Sequence, residues 1–283
     1  MRKLIVTGDD FGLAVPVNEA IEEAHRRGIL TTASLMVGAV AAEDAVARAT
    51  RLPSLKVGLH LVLVEGRPVL PPAVIPDLMY EHGEFSSRLV AAGVNFFFRP
   101  GVRHQLEAEI RAQFQAFQKT GLTLDHVNAH NHMHLHPTVL GLILKVGKDF
   151  GLNAIRVPYE PFLPSWRASR TSFFSKLASW ALLSPWSTFL KLRLRFAHIH
   201  SNDFVFGLHD SGHLDSRLVM RFLTHLPEGV SEIYFHPATR RCPEIDRTMS
   251  DYEHEREFEA LTCPQVKETL ATCGIQRCAF SEL

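Results

Sequence analysis

Short apolar strands alternate with amphipathic helices along most of this 283-residue chain. An apolar run at Leu4–Val6 precedes a helical pattern at Ala14–Arg27, and a strand pattern at Ser34–Val37 precedes a helix at Ala41–Ala49. Parallel strands joined by crossover helices produce this alternation. With seven or eight such units, the sequence predicts an α/β fold, a distorted TIM-like (β/α) barrel that forms one domain over residues 1–283.

The same two periodicities continue towards the C-terminus. Further strands are predicted at Lys56–Leu61, Leu124–Val127, Ala154–Pro158, Ile199–Val205, Ser231–Phe235 and Gln276–Phe280. Further helices are predicted at Val102–Thr120, Pro137–Phe150, Leu214–Leu226, Glu253–Leu261 and Gln265–Thr272.

Two long connections interrupt the alternation. Glu65–Gly83 is rich in proline but also in apolar residues, which predicts a packed functional cover. Residues 161–202 form an inserted segment with six basic residues, all three tryptophans and no Asp or Glu. Its longest uncharged piece, Leu177–Leu190, is too short to span a bilayer. We therefore expect it either to receive the apolar part of a substrate at the membrane surface or to pack on the barrel as a helical hairpin.

Side chains that carry chemistry close or follow separate predicted strands. They are Asp9, Asp10, His60, His130, Arg156 and His236. An isolated Asp–Asp pair most often caps a helix, but the carboxyl ends of barrel strands meet at one active site. One carboxylate with two imidazoles is a three-ligand metal site that leaves positions open for water and substrate. The sequence therefore predicts such a site on this rim.

Four histidines, from His130 to His136, recur at every second position and would share a face if the chain were extended there. Pro137 then suits the first turn of a helix. Of this group His130 is the candidate ligand. His126, His132 and His136 are expected to support the site or to be solvated.

Several motifs in this sequence resemble a known family. Thr7–Gly12 resembles the Asp-Asp-Phe-Gly opening of the YdjC-like carbohydrate deacetylases, and Gly58–His60, His130–Pro137 and Phe235–Ala238 resemble its later motifs in order and spacing. Asn128–His134, Val157–Pro161 and the inserted basic segment resemble the hopanoid-biosynthesis-associated, HpnK-type branch.

The resemblance implies a distorted barrel, as in polysaccharide deacetylases, that removes the acetyl group from an N-acetylated amino sugar. N-acetylglucosamine linked to a lipid such as a hopanoid is the implied substrate. Asp10, His60 and His130 would bind one divalent metal, with Asp9 as general base and His236 as general acid. Asn128, His132, His134 and Arg156 would contact substrate or support the ligands; some family members carry Asp at position 128. Imidazole ligands favour zinc, and a water-rich magnesium site also fits.

Composition excludes some classes of protein. The formal net charge is zero, which argues against a nucleic-acid partner. Four cysteines without a Cys-x-x-Cys pair, Cys242, Cys263, Cys273 and Cys278, predict reduced thiols. We expect a cytoplasmic protein without a signal peptide, peripheral at the inner face of the membrane, and leave homo-oligomers open. The alternatives are a phosphoester hydrolase, a ferrous-iron oxygenase and a lipid-binding scaffold with an inert barrel.

Overall fold

A computed structural model describes residues 1–80 and 83–283 of the chain. Its strands are β1 (Arg2–Phe11), β2 (Thr32–Leu35), β3 (Lys56–Leu61), β4 (Leu124–Ala129), β5 (Phe204–Phe206), β6 (Gly229–Phe235) and β7 (Gln276–Arg277). Its helices are α1 (Val15–Arg27), α2 (Ala42–Thr50), α3 (Leu89–Phe98), α4 (Pro100–Lys119), α5 (Pro137–Gly147), α6 (Phe162–Ser169), α7 (Phe173–Phe196), α8 (Ser216–His225), α9 (Pro243–Asp246), α10 (His254–Thr262) and α11 (Pro264–Thr272).

The strands form a parallel sheet in the order β4–β3–β2–β1–β6–β5, and β7 pairs with β1. The sheet curves as a half-barrel with helices around it. The larger of the two apolar clusters among the described residues extends from Leu4 to Ile275, and the smaller contains Ile5, Ala154, Cys278 and Phe280. This confirms the predicted parallel α/β fold. Most residues of β1, β2, β3 and β4 are buried, because the sheet is covered on both faces.

The segment at Ala154–Pro158, predicted as a strand, makes only isolated bridges, between Val127 and Ile155 and between Ala154 and His200. The side chain of Asn202 takes the place of a strand partner, since it accepts from Val157 N (2.7 Å) and donates to Val157 O (2.8 Å). The predicted strand Ile199–Val205 is correspondingly reduced to β5. A complete barrel of seven or eight strands stays a prediction.

The adjacent carboxylates lie inside β1 rather than just past it. Neighbouring residues of a regular strand point to opposite faces. Here Asp10 adopts a left-handed backbone (φ 59°), and the register with β2 shifts between Gly8 and Phe11. This irregularity, rather than a turn after the strand, lets both carboxylates serve one site.

The histidine run is not extended, so the condition under which its four imidazoles would share a face is not met. His130–Leu135 form a 3-10 turn in which Asn131 and His132 have φ of 50° and 51°. Asparagine tolerates the left-handed region, and the Asn131 amide donates to Glu65 Oε2 at 2.6 Å. Helix α5 then begins at Pro137, as predicted.

The predicted cover after β3 packs on the molecule. Ile75 and Leu78 are buried in the core, and Glu109 of α4 accepts the backbone N–H groups of Val69 and Leu70. Glu81 and His82 of this connection lie outside the described residues. Helix α3, which follows, was not predicted.

The inserted segment contains α6 and α7, with Pro185 inside α7. Leu190 and Leu194 pack into the core, while Trp180 and Trp186 stay partly exposed. In the described part of the chain, no helix combines the length and apolar character that crossing a bilayer requires.

Candidate metal centre and active site

Asp10 of β1, His60 of β3 and His130, directly after β4, meet at the carboxyl end of the sheet. Asp10 Oδ1 lies 3.3 Å from His60 Nε2 and 3.5 Å from His130 Nδ1. All three side chains are buried, and their ligand atoms lie within 4.8 Å of one another. Three separate stretches of sequence therefore supply one compact ligand set.

Hydrogen bonds fix the tautomer of His60. Asn128 Nδ2 donates to Asp9 Oδ1 at 3.1 Å, so its Oδ1 faces His60 Nδ1 at 2.7 Å and accepts from it. The unprotonated Nε2 of His60 therefore directs its lone pair at the carboxylate of Asp10, so two hydrogen-bond acceptors face each other. Within residues 1–80 and 83–283, neither oxygen of Asp10 nor His60 Nε2 has a hydrogen-bond partner.

Burial of unpaired acceptors that face one another is costly unless a cation lies between them. The pKa values show the same preference for positive charge. Burial disfavours the imidazolium of His130, but Asp10 outweighs burial and raises its pKa. Burial also opposes ionisation of Asp10, yet His130 beside it holds its pKa well below the usual range. This cluster could bind a metal ion.

Beside the cluster, the guanidinium of Arg156 donates two hydrogen bonds to the carboxylate of Asp9, at 2.5 and 3.0 Å. The same guanidinium donates to Glu232 of β6 at 2.7 to 3.0 Å, and it is fully buried. Burial opposes ionisation of Asp9, but Arg156 outweighs it, so the pKa of Asp9 stays far below its ordinary value. Arg156 thus fixes the orientation of Asp9 and keeps it ionised.

His236 follows β6 directly and lines the cavity above the cluster. Its Nδ1 lies 3.3 Å from Ser211 Oγ, and its backbone N–H donates to Glu257 at 2.6 Å. Burial lowers the pKa of His236 to about 4, although the carboxylates of Asp10 and Asp9 oppose the shift. At neutral pH the imidazole is therefore uncharged.

The cavity has a volume of about 270 Å³. Among the described residues its lining includes Asp9, His60, His130, His132, Tyr234 and His236, and no Lys or Arg. His132 Nε2 lies 3.3 Å from Tyr234 Oη. His134 is buried behind this wall, and burial lowers its pKa to about 3. Asn128 and Arg156 are not among the lining residues; Asn128 contacts His60 and Asp9, and Arg156 contacts Asp9.

Sequence reasoning missed Glu232 and Tyr234. Both precede His236 at every second residue, so the three side chains share one face of β6 and its continuation. A carboxylate in the middle of an apolar strand needs a partner, and this was the signal that could have identified Glu232 as the second ligand of Arg156.

A family model described as "YdjC-like protein" matches residues 3–272. The chain belongs to the YdjC-like family. This YdjC-like protein is 32% identical to a carbohydrate deacetylase of Brevibacillus brevis, over 99% of both chains. It is 29% identical to a carbohydrate deacetylase of Mus musculus, over 99% of this chain and 94% of the relative.

The crystal structure of an Enterococcus faecalis protein, named as a candidate for cellobiose-phosphate cleavage, superimposes with a TM-score of 0.73. The two chains are 26% identical, and the match covers 99% of this YdjC-like protein and 98% of the other. The whole fold, including the inserted segment, therefore lies within the length of a solved relative.

A buried cluster of charged side chains joins the inserted segment to the loop that follows β5. This loop carries Ser211. Lys176 of α7 donates to Asp210 at 2.6 Å and to Ser165 of α6 at 3.2 Å. Glu160 accepts from Ser165 at 2.5 Å and from Leu208 N at 2.8 Å. Burial raises the pKa of Glu160 to about 7, although Ser165 and Lys176 oppose the shift.

This cluster makes stability depend on pH. Between about pH 4.5 and 7, Glu160 keeps a proton in the folded state that it releases in the unfolded chain. The stabilisation that protonated Glu160 gives the folded state is therefore fully present below about pH 4.5 and is lost as pH rises through 7. Glutamine does not ionise, so we expect Glu160→Gln to avoid this loss, which in wild type amounts to up to about 3 kcal/mol in the free energy of unfolding. Urea unfolding of wild type and variant at pH 5 and pH 8 measures it. The exposed Glu255→Gln is the control, and parallel pH dependence in wild type and Glu160→Gln would contradict the assignment.

Proposed function

We propose that this YdjC-like protein is a metal-dependent N-deacetylase that releases acetate from an N-acetylated amino sugar. The observation that carries the proposal is the set of unpaired ligand atoms of Asp10 and His60, with His130, beside Asp9 and His236. Carbohydrate deacetylation is also the activity for which the relatives are named. Residues 1–283 act as a single deacetylase domain in which residues 161–202 are an insertion.

Asp10, His60 and His130 would hold the divalent metal, and two imidazoles in the set favour zinc over magnesium. When bound, the metal supplies Lewis acidity, which lowers the pKa of a water and stabilises negative charge on the acetamide oxygen. The donor set fits this role, since it fills three positions and leaves the cavity side free.

Asp9 is ionised and is held by Arg156. It accepts the proton that the water releases when the water oxygen attacks the acetamide carbon. The carbon–nitrogen bond then breaks and leaves acetate and a free amine. His236 is neutral beforehand, so the proton that it passes to the departing nitrogen must first reach it from the water by way of Asp9, which regenerates the Asp9 carboxylate. Ser211 orients its ring.

For the substrate we propose N-acetylglucosamine carried on a lipid such as a hopanoid, which the protein reaches from the cytoplasmic face of the membrane. A second cavity of about 260 Å³ adjoins the first, and both share Glu65 and His130. Its walls include Leu13, Met36 and Val62, which suit an apolar substituent. Mass spectrometry for loss of one acetyl group from candidate N-acetylglucosaminyl lipids tests this assignment.

The alternatives fit the site less well. Phosphoester hydrolysis needs cationic side chains around the phosphate, and neither Lys nor Arg lines this cavity in the described residues. Oxygen chemistry at ferrous iron has no use for Asp9 held beside His236. An inert scaffold would have no reason to bury unpaired Asp10 and His60.

The division of roles between the two aspartates can be tested directly. Asp9→Asn should retain the metal, because Asp10 remains, but should lower kcat by about a hundredfold or more, as expected for loss of a general base. Metal content by mass spectrometry and turnover of an N-acetylated glycan are the two measurements. A variant that loses its metal and recovers its full rate when metal is added back would show that the two roles are reversed.

A further inference from the structure

Helix α3 contains no charged residue. Its sequence from Leu89 to Phe98 has Asn95 as its only polar side chain. Helices that are apolar on every side are normally buried on every side. In α3, however, only Ala92 and Phe96 are buried.

The remaining apolar side chains form an exposed stripe. Val90, Val94, Phe97 and Phe98 follow one another at helical spacing, so they share one face. Val90 is 83% and Phe98 is 70% exposed. Contiguous exposed apolar surface of this kind marks an interaction site.

The flanks of this stripe are positively charged. Arg88 precedes α3, Arg99 and Arg103 follow it, and residues 85–106 contain no Asp or Glu. Arg88 packs near the ring of Tyr80, Arg99 lies 3.9 Å from Asp77, and Arg103 donates to the backbone oxygens of Phe96 and Phe97.

The stripe also lies beside the mouth of the cavity. Leu89, the first residue of α3, lines the same cavity as Asp9 and His236. The rings of Phe96 and Phe97 pack edge-on against His136, at 6.2 and 6.1 Å between centroids. A surface bound to α3 would therefore lie next to the candidate active site.

We infer that α3 docks this protein on an anionic lipid bilayer, with Val90, Val94, Phe97 and Phe98 inserted among the headgroups. Two copies that met through α3 would bring the arginines of both flanks together, with Asp77 beside Arg99 as the acid that the described residues place among them, whereas anionic headgroups complement the excess positive charge. The docking does not depend on the proposed reaction. It adds a membrane contact that is separate from the inserted segment.

The test is cosedimentation of the full chain with vesicles, without substrate. We expect binding to phosphatidylglycerol–phosphatidylcholine vesicles, weaker binding to phosphatidylcholine alone and release by salt. The double variant Val90→Ser, Phe98→Ser should bind anionic vesicles at least about tenfold more weakly, because less apolar area is inserted. Arg88→Glu should also weaken binding, and Arg221→Glu, an exposed arginine of α8, should not.

Circular dichroism of each variant checks that it is folded. Failure of the wild type to bind anionic vesicles, or equal binding by wild type and double variant, would overturn the inference. A wild-type dimer in light scattering that the double variant converts to a monomer would assign the stripe to a second copy and overturn it as well. Because no turnover is measured, these results are separate from success or failure of the deacetylase assay.

Discussion

Replacement of His60 by alanine is expected to abolish both metal content and turnover. His60 Nε2 is one of three candidate ligand atoms, and its loss leaves Asp10 and His130 of that set. Two ligands hold a divalent ion far more weakly than three, and without it the water and the acetamide oxygen lose their Lewis acid. We expect kcat/KM to fall by about a thousandfold or more.

Metal content by plasma mass spectrometry and release of acetate are the measurements. His104→Ala, an exposed histidine of α4, is the matched control and should keep both. The fold should survive His60→Ala, since the variant loses a single buried hydrogen bond, from Nδ1 to Asn128 Oδ1, and the Nε2 that it also removes has no hydrogen-bond partner among the described residues. Full activity of chelator-treated, metal-free wild type would refute metal dependence altogether.

Arg156→Met is expected to cause the largest loss of stability. The guanidinium is the shared partner of Asp9 and Glu232, and burial is complete for Arg156 and Glu232 and nearly so for Asp9. Methionine has a similar length, so the dominant effect is two buried carboxylates without a countercharge. Removing one partner of a buried ion pair costs about 3 to 5 kcal/mol.

Urea unfolding at neutral pH gives the free energy directly. A second substitution, Glu232→Gln, should restore part of the stability of Arg156→Met, because it removes one of the two unpaired charges. Arg156→Lys keeps the charge but not the two-pronged geometry, so it should stay folded and lose activity through misplacement of Asp9. A change of less than about 1 kcal/mol for Arg156→Met would mean that the carboxylates find other partners.

Elements whose structure depends only on neighbouring residues could be predicted from the sequence. Strand and helix periods predicted the parallel sheet, and Pro137 predicted the start of α5. Local rules failed where a distant partner decides. The side chain of Asn202 replaces a strand pairing at Val157, and no pattern near Ala154–Pro158 reports that.

The site shows the same division. The position of His60, His130 and His236 at strand ends could be inferred from the sequence, because parallel strands all end on one rim. The left-handed backbone of Asp10 and the amide bridge through Asn128 could not, since both depend on atoms brought together from β1, β3 and β4. The conformation of the histidine run could not be predicted for a related reason, because the Asn131 amide donates to Glu65 of another connection.

The two carboxylates of β1 are successive residues, joined by a single peptide bond. The proposed ligand of the ion and the proposed proton acceptor are therefore linked through one planar peptide unit, so a backbone shift at one residue also moves the other. An ion of larger radius that pushed Asp10 outward would drag Asp9 against Arg156 at the same time. The same few backbone torsions would consequently determine both which metal fits and how the proposed base is oriented. A substitution that alters one of these properties would also alter the other.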